Sequence, residues 1–442
     1  MYEIHPEQRT IKYRNIAFSH YFGIFARTII ENSSGRVYLK GVPLNSGWNY
    51  TEFRIHRQEI KMDFWLVNGA LQDAVSPGVQ KVDIRVKDGK IIELGKYSGG
   101  EKVDVSGLNI YPGLVEAHCH LGLCGWGIRY DGSDYNEKND CITPELNPID
   151  AINPFDESIR LALAGGVTCV GTGPGSINVL GGSFTAVKTY GRRIDDMIVK
   201  EKVAMKCAFG ENPKNYHQNK FITSRMTTAA KLRETLFKAR EYMEKLDAAE
   251  KNPECRKPEF NFKLHSLLPV MRREIPLKAH AHQTNDIFTA IRIAREFGLK
   301  LTIEHCTEGH LIADYLAAEG FPLAVGPALN FSGKPETRNK SFATAGILHR
   351  AGCQVSIITD SDVVPQENLA LCAGLAVRAG MEPFAALQAI TINPARHLGI
   401  AERVGSIEVG KDADIVICNG DILESSTIVR MVFVNGEMVI EQ

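Results

Sequence analysis

The sequence predicts an α/β fold: a (β/α) barrel, with a small β domain assembled from the segments on either side of it. Short strand-like and helix-like runs alternate through residues 111–404. Hairpin-like runs flank that stretch at both ends. A His-x-His pair, His118-Cys119-His120, closes the first apolar run of the middle. Repeated β-α units in a span of this size favour a barrel over an open sheet.

In chain order, residues 1–61 show no sustained period, and their aromatic and basic side chains fall irregularly. They read as an irregular N-terminal extension, either upstream sequence before a native start at Met62 or an accessory segment; the intact mass of protein made from the native gene separates the two. Met62 opens a coherent run, Phe64-Trp65-Leu66-Val67-Asn68-Gly69-Ala70. Strands and turns then alternate, as in Val82-Asp83-Ile84-Arg85-Val86, the turn Lys87-Asp88-Gly89-Lys90, and Ile91-Ile92-Glu93-Leu94. The same grammar returns near the C-terminus in Asp414-Ile415-Val416-Ile417, Val429 to Val434, the turn Asn435-Gly436 and Met438-Val439-Ile440. Residues 62–110 plus 405–442 are therefore expected to form one β domain around the barrel of 111–404.

Within the middle, Ile110 to Ala117 reads as a buried strand. A helix follows from Asp156 to Ala164, stopped by Gly165-Gly166, and then the strand Val167 to Gly171. Further strands are expected at Ala204 to Gly210, Leu277 to His282, Lys300 to His305, Leu323 to Gly326 and Gln354 to Asp360. Leu232, Leu236, Met243 and Leu246 recur at helical spacing and read as the core-facing stripe of an outer helix. The glycines of Gly171-Thr172-Gly173-Pro174-Gly175-Ser176 and Gly181-Gly182-Ser183 read as a turning loop. They lack the GxxxxGK[ST] signature of a phosphate-binding loop.

At 442 residues the chain can bury a large core in more than one domain. A hydrophobic content of 44% and a charged content of 23% are ordinary for a globular protein. The formal net charge of -1 gives no electrostatic reason to expect nucleic acid or an anionic membrane as a partner. No apolar run reaches membrane-spanning length, and Met1 to Arg9 is too charged for a secretory signal. The ten cysteines contain no CxxC pair, so reduced thiols in a cytoplasmic protein are expected. The partner expected is a small-molecule substrate, and the composition permits a homo-oligomer.

Side chains two apart on a strand share a face, so His118 and His120 can present two nitrogens to one cation such as zinc. Alone, such a pair is a weak signal. In (β/α) barrels, however, functional groups collect at the C-terminal strand ends. Those ends hold His118, His120, Glu211, His280, His282, His305 and Asp360, including five of the chain's thirteen histidines. Burying such a set unpaired would be costly, and a metal accounts for it as a whole.

From about residue 62 to 442 the chain resembles the amidohydrolase superfamily, and within it the imidazolonepropionase-related members. The resemblance rests on Pro112-Gly113-Leu114-Val115-Glu116-Ala117-His118-Cys119-His120, on His280 and His305, and on Thr359-Asp360. It also rests on Asn393-Pro394-Ala395-Arg396-His397-Leu398-Gly399-Ile400 and on Gly405-Ser406-Ile407-Glu408-Val409-Gly410-Lys411-Asp412-Ala413-Asp414. It implies a (β/α)8 TIM barrel with a small composite β-sandwich built from both flanks. His118 and His120 resemble the first-strand metal ligands, His280 the fifth-strand ligand, His305 the sixth-strand ligand, and Asp360 the eighth-strand ligand and proton shuttle.

Family members bridge a second metal with a carboxylated lysine or a glutamate. Glu211 resembles the glutamate, and no fourth-strand lysine of comparable placement is evident. His282 shares a face with His280 and is expected either to replace it as ligand or to contact substrate. His265, His310, His349 and His397 read as structural. Lys334 and Arg338, after the seventh strand, could meet a substrate carboxylate.

The function implied is hydrolysis of a non-peptide or dipeptide-like C–N bond, an amide or cyclic amide. One or two divalent ions, zinc foremost, would activate a water, with Asp360 moving the proton. The alternative enzyme is a deaminase of an aminated heterocycle; against it, Gln283 and Thr284 follow His282 and no acid comes before Asp286. A non-catalytic scaffold is the alternative outside enzymes, and it fits poorly with a complete ligand set.

Overall fold

Strands covered on both faces need near-continuous apolar sequence, and the middle of the chain supplies it. The structure, a computed structural model, describes residues 63–442 except 127, 128 and 221, together with Ile29–Glu31 and Val37–Leu39. Those last two strands pair antiparallel in a unit of their own. The remainder of 1–61, and with it the expectation of an irregular extension, lies outside the described residues.

Eight strands form the barrel sheet: β1 (Leu114–Cys119), β2 (Val167–Thr172), β3 (Leu180–Lys188), β4 (Ile198–Ala208), β5 (Leu277–Ala281), β6 (Leu301–His305), β7 (Leu323–Val325) and β8 (Val355–Ile357). They neighbour one another in chain order. All run parallel except β3, which is antiparallel to both β2 and β4. Side chains and loops draw β1 and β8 together: Thr359 donates its backbone N–H and its hydroxyl to Glu116 Oε2 (2.9 and 2.8 Å). The His120 N–H donates to the Ser361 carbonyl at 2.7 Å. The molecule is thus a (β/α)8 barrel with one reversed strand.

The reversed strand departs from the sequence reading, which took Gly181-Gly182-Ser183 for a turning loop. The glycines answer to close approach instead. Gly182 has φ +119°, and a Cβ there would meet the Leu146 carbonyl oxygen at 2.6 Å. Every residue of β3 is buried.

The helices start and stop where local chemistry dictates. Asp156 caps Glu157–Ala164, its Oδ1 accepting from Ser158 N at 2.9 Å. Ser224 caps Arg225–Lys251, which buries Leu232, Leu236 and Leu246; each such leucine contributes about 1.5–3 kcal/mol through burial. Thr284–Phe297 buries Ile287, Ala290, Ile291 and Ala294 along one stripe and ends at Gly298 in the left-handed conformation.

The flanks form two further sheets. One orders the strands Glu437–Glu441, Val429–Val434, Ile415–Cys418, Asn109–Pro112 and Ala70–Leu71, so it draws on both ends of the chain. The other orders Lys90–Gly95, Asp83–Lys87, Asp63–Val67 and Glu101–Asp104. Phe64 of one stacks on Phe433 of the other, ring centroids 5.6 Å apart. Buried Lys188, at the end of β3, ties the barrel to this region through Asp414 and, at 3.0 Å, Asp412. All ten cysteines are free thiols. Among the described residues no helix is long and apolar enough to cross a membrane.

Candidate metal centre

The five strand-end histidines meet at one end of the barrel, all buried. The His280 and His305 rings lie 4.4 Å apart, His282 and His305 4.5 Å, and His118 and His305 5.2 Å. Their outer nitrogens are mostly spoken for. His120 Nδ1 lies 2.7 Å from the Gly173 carbonyl and His305 Nδ1 2.9 Å from the Gly326 carbonyl. A carbonyl can only accept, so these nitrogens carry the proton and each Nε2 keeps a lone pair. His282 Nδ1 pairs with the Thr307 hydroxyl at 2.7 Å.

His118 Nδ1 sits 3.2 Å from Glu304 Oε2, and its Nε2 faces Asp360 Oδ1 at 3.6 Å. Asp360 Oδ1 also lies 3.3 Å from His120 Nε2. The His118 ring stacks against Phe184 of β3, centroids 5.0 Å apart.

Two overlapping groups have ligand atoms within 4.8 Å of one another: His280 with His282 and His305, and His118 with His305 and Asp360. Several of these atoms are buried with no hydrogen bond: both ring nitrogens of His280, His305 Nε2 and Asp360 Oδ1. Orphaned donor atoms of this kind, converging from several strands, fit a divalent cation. Burial holds His118, His280 and His305 well below the ordinary imidazole pKa, and His282 falls to about 4. Those four imidazoles are therefore neutral, the form that ligates metals. Burial pushes Asp360 up, but His120, His118 and Lys206 outweigh it and keep the carboxyl ionised.

The backbone is strained at this place. His305, Cys306 and Asp360 have φ of +71°, +47° and +52°. Left-handed conformations in such residues cost of order 1–3 kcal/mol each.

Lys206, two residues before the C-terminal end of the fourth strand, corrects the expectation that no lysine is well placed there. It is fully buried, and its Nζ lies 2.9 Å from His118 Nε2. Burial pulls its pKa down to about 8 against the pull of Asp360 and Glu304. The sequence reading overlooked β3, numbered this strand third, and turned to Glu211 instead. Glu211 opens the short helix Glu211–Tyr216, stands in neither group, and donates its backbone N–H to Glu336 Oε2 at 2.8 Å.

Glu336 is a second residue the sequence reading missed. It is fully buried, and its Oε1 lies 3.8 Å from His280 Nε2 and 3.7 Å from His282 Nε2. Lys334 donates to Asn212 Oδ1 at 2.7 Å and lies 3.7 Å from the same Oε1. Arg338 is exposed, with no side-chain bond among the described residues.

Behind His118, Lys278 reaches Glu304 Oε2 (2.8 Å), His397 Nε2 (3.1 Å) and the Ala117 carbonyl (3.0 Å), all buried. Burial raises Glu304, yet Lys278 and His397 hold it well below the usual carboxylate range. His397, read as structural, belongs to this support layer. A carboxylate behind a ligating histidine orients its ring and raises its basicity.

The amidohydrolase family model matches residues 109–439. Amidohydrolase tasK of Hapsidospora irregularis is 27% identical over 358 residues, covering 75% of this chain. The match spans only 36% of tasK's own length. The imidazolonepropionase of Thermoplasma acidophilum is 25% identical over 76% of this chain and 82% of its own. Among solved structures, an amidohydrolase from Thermotoga maritima MSB8 superposes with a TM-score of 0.83 at 37% identity, covering 86% of this chain and all of that one. With the barrel, the strand-end histidines and a family match over most of its length, the chain belongs to the amidohydrolase family.

Proposed function

We propose that the chain is a metal-dependent hydrolase of an amide or cyclic amide bond, with zinc as the resident ion. The observation that carries this reading is the convergence of unpaired His280, His305 Nε2 and Asp360 Oδ1 beside the buried Lys206 amine. His118, His120, His280, His305 and Asp360 would hold the metal. A divalent ion there would lower the pKa of a water toward ~7 and polarise a substrate carbonyl.

The chain's own groups do the rest. Asp360, ionised and facing His118 and His120, takes the proton of the attacking water and passes it to the leaving nitrogen. The Lys206 amine, drawn toward neutrality by burial, can form an N–C bond to carbon dioxide, release one proton and become a carbamate beside His118. That anion would offer the centre two further oxygen donors. The Glu304 carboxylate keeps His118 in register. Likeness to an imidazolonepropionase supports an imidazolone ring as the first substrate to try.

Elemental analysis of the wild type, Lys206→Met and Glu211→Ala tests this reading, together with turnover on a panel of cyclic amides. Expected are up to two metal equivalents in the wild type, loss of one or both in Lys206→Met, and no change in Glu211→Ala. A wild type that takes up no metal after reconstitution sinks the proposal.

A further inference from the structure

Glu336 reaches the centre from the loop after β7, where Pro335–Thr337 makes one turn of 3-10 helix. Its carboxylate is placed rather than merely enclosed. Oε2 accepts the Glu211 N–H at 2.8 Å. Gly210 clears its path: that residue has φ +80°, and a Cβ there would meet Oε2 at 2.5 Å. Oε1 is then left buried with no hydrogen bond, turned toward His280 and His282.

The distances say what Oε1 is for. Separations of 3.8 and 3.7 Å to the two Nε2 atoms exceed the ~2.7–3.2 Å of a hydrogen bond. They are less than twice the ~2.0–2.2 Å reach of a zinc–nitrogen or zinc–carboxylate bond. Oε1 is thus buried, unbonded and aimed between two imidazole nitrogens, a gap that a cation fills. Lys334 Nζ, at 3.7 Å and committed to Asn212, is too far to satisfy Oε1 by a hydrogen bond. His280 itself has no partner at either ring nitrogen.

We propose that Glu336 is a carboxylate donor to the cation position formed by His280, His282 and His305, supplied by the seventh-strand loop. The inference rests on the metal-dependent reading above. Glu336 stands outside the two groups whose ligand atoms already converge, so it joins His280, His282 and His305 as the cation draws its carboxylate in, and the set of three imidazoles and one carboxylate is suited to zinc. It also assigns His282 to the metal rather than to substrate alone.

The test is metal binding by the full chain, stripped of metal and titrated with zinc against a competing chelator. A parallel titration with cobalt(II) reads the ligand field by its visible absorption. Glu336→Gln keeps an acceptor for the Glu211 N–H and removes the charge; Glu336→Asp keeps the charge and withdraws it by one methylene. Both are expected to weaken one metal equivalent by at least ~10-fold and to alter the cobalt spectrum, while thermal unfolding of the metal-free proteins stays near wild type. Wild-type affinity and spectrum in both variants would overturn the assignment and leave Glu336 as the counter-charge of Lys334. Retained affinity in Glu336→Asp alone would overturn direct ligation in favour of a field effect. If the wild type itself binds neither metal, the underlying metal-dependent reading falls too.

Discussion

Replacing Lys278 and Glu304 singly and together probes the layer on which the centre rests. Both side chains are wholly inaccessible, and Nζ and Oε2 lie 2.8 Å apart. The ammonium has three donors and uses them on Glu304, His397 and the Ala117 carbonyl. Glu304 also accepts from Thr302 Oγ1 at 2.7 Å. Removing one member of a buried ion pair costs about 3–5 kcal/mol because the other charge is stranded, whereas replacing both is often near neutral.

Lys278→Met leaves Glu304 with Thr302, His397 and His118, so about 3 kcal/mol is expected. Glu304→Gln strands an ammonium whose other two contacts are uncharged, so about 5 kcal/mol is expected. Against a total stability of about 5–15 kcal/mol, either loss is large. The double variant should lose no more than the milder single one, a coupling of about 5 kcal/mol or more between the sites. Urea unfolding of metal-free protein, compared at unchanged m-value, reads these numbers. Additive single losses would refute the reasoning.

Other outcomes follow from the same structure. Lys188→Met should cost about 3–5 kcal/mol, chiefly by stranding Asp414, since Asp412 keeps Lys90 and Arg403. Burial lowers Lys188 but the two aspartates raise it further, so its contribution is complete below the unfolded lysine pKa of ~10.4 and fades as pH rises through the higher folded value. Burial raises Asp412 but Lys188 and Lys90 hold it below the ordinary value, so its contribution is present above ~3.9 and is lost as pH falls. The stability gap between the wild type and Lys188→Met should thus be flat in the middle range and narrow at both extremes; the same gap at pH 3 would count against the pair. Gly182→Ala, strained in φ and meeting backbone, should lower the thermal midpoint by the equivalent of about 1–3 kcal/mol. Asp360→Asn should lower kcat about 10²–10⁴-fold without unfolding the protein. Stripping metal should also lower stability by about 2.7 kcal/mol for an ion held at a hundred times its Kd, read as a fall in the melting midpoint.

How far the site could be read from sequence depended on local pattern. His118 and His120 were legible because a two-residue spacing closes an apolar strand, and His280, His305 and Asp360 because each ends a short strand-like run. The loss of β3 had a compound effect: Gly181-Gly182 hid a strand in which Gly182 serves the close passage of Leu146, and the miscount concealed Lys206 on the next one. Its signal was nonetheless present. A lone lysine in Ala204-Met205-Lys206-Cys207-Ala208, like Lys278 in Leu277-Lys278-Ala279, has no solvated neighbours on its face and must be buried with a purpose. Glu336 carried no such mark. It follows a lysine and a proline in a loop, and only the tertiary approach of Gly210 and Glu211 turns it inward. Glu211 was the converse case, a carboxylate at the right strand end whose backbone, rather than its side chain, addresses the centre.

The shared flank sheet also bears on how the chain is made. The strand Asn109–Pro112, which leads directly into β1, pairs with Ile415–Cys418, joining Ile110 to Ile417. On a ribosome adding ~5–20 residues per second, that partner emerges about 15–60 s after the strand it must meet. Until then an apolar edge, Ile110-Tyr111, is without its neighbour and open to pairing with other chains. The barrel can close before the flank does, but the first strand gains its final anchor only once Ile415–Cys418 has been made. Nascent chains stalled before residue 415 are therefore the ones a chaperone should find and hold.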